Sequence, residues 1–342
     1  MSRKDNDPNA SYLAGEFERK LVRSIVVLLL AASLCGAQDF EEAVRLGEQS
    51  PRLYSLLVSW RGQVVLERYF HGKKTTSVAN IKSASKSVLA ALIGIAIERK
   101  LIPGVATPIS QYFPEIGKDR NGITIEDLLT MRSGLRTTSN RYYGAWVGSP
   151  NWVRHILTRP IESEHGTQMS YSTGNTHLLS AILTKAAKTS TWAFGQQALA
   201  KPLGFTLGQW PKDPQGIYFG GNDMLLTPRQ MLAVGELYLH GGKRGDVQVV
   251  PEAWVEESCT AHTVSPRNGE GYGYGWWIGT FAGTEACYAW GFGGQYIFVM
   301  PKLELVIVAT SSPNEGEDRR QQRGVVFDIV EEQIIPQIAR MQ

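Results

Sequence analysis

Ile81-Lys82-Ser83-Ala84-Ser85-Lys86-Ser87-Val88-Leu89 places a serine and a lysine three residues apart at the head of a long apolar run. Val88, Leu89, Leu92, Ile93, Ala96 and Ile97 recur at spacings of three and four, which predicts a buried helix. Glu98-Arg99-Lys100 closes it with charge, and Pro103-Gly104 stops it. Residues i and i+3 share a helix face, so Ser83 and Lys86 should project together from the first turn. That turn carries unpaired backbone N–H groups and the positive end of the helix dipole. A hydroxyl, an amine and free N–H donors at one point are the parts of a nucleophilic acyl-transfer site. A Ser-x-x-Lys spacing also arises by chance as a solvated serine beside a surface lysine, so its context decides. The apolar helix behind it puts Lys86 near a buried boundary, and no other serine in the chain has a lysine three residues on.

The chain around this stretch has 342 residues, 43% hydrophobic and 20% charged, an ordinary globular composition with room for one large core or two lobes. Its 35 basic and 32 acidic residues leave a formal charge of +3 and no long basic run, which argues against a nucleic-acid partner. The six histidines show no paired metal spacing, so no metal site and no cofactor are expected.

The N-terminal residues read differently. Arg19, Lys20 and Arg23 precede the apolar Ile25-Val26-Val27-Leu28-Leu29-Leu30-Ala31-Ala32-Ser33-Leu34, then small Cys35-Gly36-Ala37 and polar Gln38-Asp39. A basic flank, a short apolar core and a small-residue exit predict a secretory signal peptide over residues 1–37. The apolar core is about ten residues, against the ~20 that span a bilayer, so no stable membrane span is expected after cleavage. The expected location is periplasmic or secreted. A membrane-anchoring or amphipathic helix is the competing reading. Two cysteines would remain, Cys259 and Cys287; an exported protein permits their pairing but does not force it.

Taken in order, Leu53 to Phe70 alternates and turns at Arg61-Gly62, which predicts a β-hairpin. Thr124 caps a short helix that should end near Gly134. Residues 136–150 read as an irregular loop whose Tyr142, Tyr143 and Trp146 form a pocket wall or pack on the core. Tyr171 stands on a short loop before a helix whose Leu178, Leu179, Ile182 and Leu183 share a buried face. Taken alone it reads as a core tyrosine with a satisfied hydroxyl. Helices follow through Trp192 to Leu199 and Pro228 to Leu239. Strands return at Tyr272 to Ile278 and Ala286 to Trp290, then a hairpin turning at Pro301-Lys302, and a closing helix from Gly324 to Ile338. This order predicts an α+β fold: an antiparallel sheet built from both chain ends, flanked by helices, with a mostly helical lobe inserted. The sheet lobe is drawn at about 40–80 and 240–342 and the helical lobe at about 81–239, within one domain over 38–342. A site between the lobes is expected.

Four segments fall in a familiar order: Ser83-Ala84-Ser85-Lys86, Asp127 to Leu135, Tyr171-Ser172-Thr173 and Trp290-Gly291-Phe292-Gly293-Gly294-Gln295. With Phe219 to Pro228, they resemble the serine β-lactamase-like hydrolases over roughly residues 50–312. That family includes class C β-lactamases, D-alanyl-D-alanine carboxypeptidases, several esterases and the 6-aminohexanoate-dimer hydrolases. The resemblance implies a β-lactamase/transpeptidase-like fold, with Ser83 as the acylated nucleophile, Lys86 as its base and Tyr171 as the acid–base partner beside both. It implies that the N–H groups of Ser83 and Phe292 form the oxyanion hole, with Trp290, Gly291 and Thr173 along the substrate.

Two departures narrow the expectation. Penicillin-recognising relatives carry Lys or His, then Thr, then Gly on the strand facing the serine, whereas this chain has Trp290-Gly291-Phe292 and no cation there. Class C enzymes place Asn two residues after the tyrosine, whereas this chain has Thr173. Both changes remove β-lactam-binding groups and keep the acylation trio. The reading is an exported serine hydrolase that cleaves a small-molecule ester or amide. The alternatives are β-lactamase or D-alanyl-D-alanine carboxypeptidase activity, or a non-catalytic relative that binds cell-wall peptide or a partner. An α/β-hydrolase is not indicated, because no Gly-x-Ser-x-Gly elbow occurs.

Overall fold

Every residue of Gln295–Met300 and of Leu305–Ser311 is buried. Side chains of a strand alternate between its two faces, so both faces of these strands are covered. The computed structural model, which describes residues 40–314, 316 and 319–342, places them in an eight-stranded antiparallel sheet. In chain order its strands are β1 (Leu53–Trp60), β2 (Gln63–Tyr69), β3 (Thr263–Val264), β4 (Gly271–Tyr272), β5 (Trp277–Phe281), β6 (Thr284–Gly291), β7 (Gln295–Met300) and β8 (Leu305–Ser311). The spatial order is β2-β1-β8-β7-β6-β5-β4-β3. The last six strands form a meander, and β1 from the opposite end closes on β8 with Leu56 opposite Ala309 and Val58 opposite Ile307. The expected sheet built from both chain ends is therefore what forms.

The helices that matter here are α1 (Glu41–Gln49), α2 (Ser85–Glu98), α3 (Ile125–Leu129), α4 (Thr173–Ala187), α5 (Pro228–Leu239), α6 (Arg319–Asp328) and α7 (Ile335–Met341). On one sheet face Ile297, Val299, Val306 and Val308 meet α2, α5 and the helical lobe. On the other, Tyr296, Phe298, Leu305 and Ile307 meet Ala43 of α1 and Val326, Ile329, Val330 and Ile338 of the C-terminal helices. Helix α2 is buried from Ser85 to Ala96 and packs on α4, β6 and the short helix Glu252–Ser258. A helix that is apolar all round belongs in the middle of a domain. Truncating Leu89 to alanine there should cost about 2–5 kcal/mol.

Several local expectations shift. Ser83 lies in a 3-10 turn, Lys82–Ala84, and α2 begins at Ser85 rather than before the serine. Thr124 caps α3 through a reciprocal box with Asp127, but the helix ends at Leu129. Residues 136–150 contain the short helix Tyr143–Val147, and Trp146 is fully buried against Trp152 and Phe219. The strand expected over Tyr272 to Ile278 breaks at the turn between β4 and β5. Cys259 and Cys287 are joined as a disulfide, fastening the end of Glu252–Ser258 to β6. The expected signal peptide, 1–37, lies outside the described residues. Among the described residues no helix is long and apolar enough to cross a membrane.

Candidate active site

The serine turn is strapped to the rest of the molecule from two sides. Ala79–Asn80 pairs with Leu225–Leu226, and the Ile81 N–H donates to the Met224 carbonyl at 3.0 Å. On the sheet side, Gly291 at the end of β6 lies against the Ile81 carbonyl. A Cβ there would come within 2.1 Å of that oxygen, so only glycine lets β6 approach this closely. The Gly291-Phe292 peptide is thereby held beside the turn that carries Ser83.

Lys86 follows on the first turn of α2, and its side chain is only 1% exposed. Its Nζ donates to Ser83 Oγ at 3.1 Å, Thr173 Oγ1 at 3.2 Å and the Gly221 carbonyl at 2.6 Å. Gly221 has φ +91°, and a Cβ on it would meet Thr176 Oγ1 at 2.2 Å and Lys86 Cγ at 2.8 Å. Burial pushes the amine down to about 7, and the Asp223 carboxylate opposes that shift. Near neutrality much of Lys86 is a free amine. Such an amine gives its two N–H groups to Gly221 and Thr173, and keeps a lone pair for the Ser83 hydroxyl proton.

Tyr171 completes the group. Its segment is held by Ser170 N–H to the Met131 carbonyl at 2.8 Å and by Thr137 Oγ1 to the Tyr171 carbonyl at 2.7 Å. Its ring stacks on Trp277, 5.7 Å between centroids, and lies 5.1 Å from Lys86 Nζ. Burial pushes the phenol up to about 12, while a hydrogen bond with the Ser83 side chain pulls the other way. Tyr171 thus stays protonated where Lys86 loses its proton. Two groups whose environments drive their pKa values apart are suited to acid and base roles. Ser83 and Tyr171 remain partly exposed while Lys86 is closed off.

Helix α4 begins with Thr173, and Ser172 makes no side-chain cap. Its first N–H groups are met from another segment instead: Thr173 N–H donates to Ser139 Oγ at 2.9 Å and Gly174 N–H to Thr138 Oγ1 at 2.8 Å. Thr173 is buried, and its hydroxyl faces Lys86 and Ser139. Trp290 borders Trp277 at 5.6 Å, and Phe292 is 38% exposed on the turn after β6.

Reading the residues alone missed the groups supplied by Gly221, Ser139 and His177. His177 Nδ1 accepts the Gly220 N–H at 3.3 Å, so Nε2–H is the proton that faces Asp213 Oδ2 at 3.0 Å. Both side chains are fully buried. Thr176 Oγ1 also donates to the Gly220 carbonyl at 3.0 Å. One face of α4 therefore aims the Gly221 carbonyl at Lys86. The one signal was that His177 and Thr176 follow Tyr171 by less than two helical turns.

A buried lysine, a serine and a tyrosine at the junction of a helical lobe and an antiparallel sheet define a serine hydrolase. The sequence profile of the β-lactamase family matches residues 52–331, and the chain belongs to that family. The 6-aminohexanoate-dimer hydrolase of Paenarthrobacter ureafaciens is 25% identical over 308 residues, covering 79% of this chain and 76% of that one. The hydrolase EstCE1, described as having promiscuous acyltransferase activity, superimposes with TM-score 0.69 at 18% identity, covering 88% of this chain and 100% of that chain. An octameric penicillin-binding protein homologue from Pyrococcus abyssi superimposes with TM-score 0.65 at 19% identity, covering 86% and 74%. At such identities these two structures speak for the fold.

Proposed function

We propose that this protein cleaves ester or amide bonds of a small substrate through an acyl-enzyme on Ser83. The observation that carries the reading is Lys86 Nζ, 3.1 Å from Ser83 Oγ and shut away from water. Lys86 takes the serine proton as Ser83 attacks the carbonyl carbon. The N–H groups of Ser83 and Phe292 receive the oxyanion. Tyr171 gives its proton to the departing group, then helps draw a proton from the water that releases the acyl group. Thr173 and Gly221 hold the amine in place.

Esters and linear amides fit better than β-lactams. Trp290-Gly291-Phe292 offers no cation for a β-lactam carboxylate, and Thr173 turns its hydroxyl inward to Lys86. The curated 6-aminohexanoate-dimer hydrolase supports the same branch. Export is part of the proposal. It rests on the signal-like residues 1–37 and on the Cys259–Cys287 disulfide, which suits an oxidising compartment.

The test is a panel of p-nitrophenyl acetate, p-nitrophenyl butyrate, short amides and nitrocefin with wild type and Ser83→Ala. The esters should be turned over by wild type alone. Efficient nitrocefin turnover would move the protein to the β-lactamase branch. A fluorophosphonate that leaves Ser83 unlabelled would point to a non-catalytic binding protein.

A further inference from the structure

Lys82 immediately precedes Ser83, and Asp223 lies two residues beyond Gly221. Lys82 Nζ meets Asp223 Oδ1 at 2.8 Å, and Asn80 Nδ2 donates to the same oxygen at 2.8 Å. Both partners adopt left-handed backbone, φ +50° for Lys82 and +57° for Asp223. Aspartate is among the residues that visit this region, but lysine is not, so the serine turn holds a conformation that a residue such as Lys82 seldom adopts. Strain of this kind gathers where a side chain must be aimed. The side chains are 23% and 24% exposed, neither sealed nor free.

They are aimed at a groove of about 830 Å³ walled by Trp192, Trp210 and Tyr218, with Lys82, Asp223 and Leu225 in its lining. That is roomy for a small-molecule site, where about 300–1,000 Å³ is usual. Ser83 is not in the lining; the groove reaches the residue beside it. The acyl-transfer steps above do not use this groove; of the ion pair they involve only Asp223, whose carboxylate favours the ammonium form of Lys86.

We propose that the groove receives the acyl chain of the substrate and that Lys82 recognises a carboxylate at the far end of that chain. The proposal rests on the Ser83 acyl-enzyme reading. Two features favour an acidic end. An ammonium has three N–H donors, and Asp223 takes one of those on Lys82. Asp223 Oδ1 is already shared by Lys82 and Asn80, so its charge is partly met while Lys82 keeps donors for a ligand. Tyr171, which would protonate the leaving group, stands instead against Trp277 of the sheet. The segment that supplies Asp223 is left for the acyl side.

Three p-nitrophenyl esters of equal chain length test this, ending in a carboxylate, a neutral methyl ester and an ammonium. Their kcat/KM values are compared within each protein, so a general loss of activity in a variant cancels. Wild type should prefer the carboxylate over the neutral ester by about tenfold, as a charge-assisted hydrogen bond allows, and the ammonium ester should be slowest. Lys82→Met should bring the carboxylate-to-neutral ratio within twofold. Should that variant fail to fold, wild type itself gives the reading: raising salt from about 20 to 500 mM should shrink the carboxylate preference, because a partly exposed charge is screened. A wild-type ratio near one, or a preference that survives both Lys82→Met and salt, overturns the proposal. A fastest ammonium ester would assign the groove to cations through Asp223, and overturn it as well. If no ester is cleaved, or Ser83→Ala cleaves them all as well as wild type, the acyl-enzyme reading falls and takes the groove assignment with it. Cleavage with no carboxylate preference sinks the groove alone.

Discussion

The carbonyl oxygen of Gly221 accepts a 2.6 Å hydrogen bond from Lys86 Nζ, although 135 residues separate the two in the chain. With Thr173 on a second side, it leaves the Ser83 hydroxyl as the third neighbour of the amine. The protonation state of that amine governs the first prediction. Lys86 sits at about 7 and Tyr171 at about 12. We predict that kcat/KM for p-nitrophenyl acetate rises through about pH 7 as Lys86 loses its proton. No matching fall should appear below about pH 10. An acid limb near pH 4 or above pH 9 would rule out Lys86 as the base.

Lys86→Ala and Tyr171→Phe should each lower kcat by about two to four orders of magnitude, the usual range for a positioned acid or base. Neither should unfold the protein. Lys86→Met should even stabilise it at pH 6. The folded pKa lies below the unfolded one, so the unfolded chain binds more protons between about pH 7 and 10.5, and the penalty for burying the lysine is full below pH 7. The gain, of order a few kcal/mol, should shrink as pH rises toward 10. Urea titrations at pH 6 and 10 check the sign; an equal or opposite effect at pH 6 would show that burial does not lower the Lys86 pKa.

Gly291→Ala forces a methyl group to within 2.1 Å of the Ile81 carbonyl. Strand β6 must retreat from the serine turn, carrying the Phe292 N–H with it. Loss of one oxyanion donor costs about 10²–10³-fold in kcat. The expected result is a drop of that order with circular dichroism unchanged. A variant within threefold of wild type would remove Phe292 from the oxyanion hole.

His177 acts on the amine at one remove. His177→Ala frees the Gly220 N–H and leaves Asp213 without its imidazole partner, a loss of about 1–3 kcal/mol in stability. A carbonyl that drifts from Lys86 also stops favouring the ammonium form. We therefore predict an acid limb displaced to lower pH, along with a lower kcat. A purely structural role for His177 would reduce stability and leave the limb where it was.

The Cys259–Cys287 bond closes a loop of sequence separation 28. Closing a loop of that size is worth roughly 2–4 kcal/mol. Cys259→Ser with Cys287→Ser should lower the urea midpoint accordingly, and dithiothreitol should do the same to wild type only. An unchanged midpoint would mean that the crosslink constrains little.

The parts readable from the chain alone were those set by neighbours along it. Ser83 and Lys86 are three residues apart, so one turn of backbone brings them together whatever the rest does. The runs on either side of Pro301-Lys302 read as a hairpin, while the burial of both its faces is visible only in the fold. Tyr171 by itself read as a core tyrosine; it entered through the company of the other motifs, not through any local pattern.

The sequence by itself determined the pairing of Ser83 with Lys86 and the order of strands and helices, because periodicity and i,i+3 spacing are local properties. Tertiary structure alone decided that Gly221 and Thr173 meet the amine, that Ser139 backs Thr173, and that Lys82 turns toward Asp223. Those contacts depend on left-handed backbone at Lys82, Gly221 and Asp223 and on segments tens of residues apart. No window of sequence contains them, since the energy that fixes each one comes from packing across the whole fold.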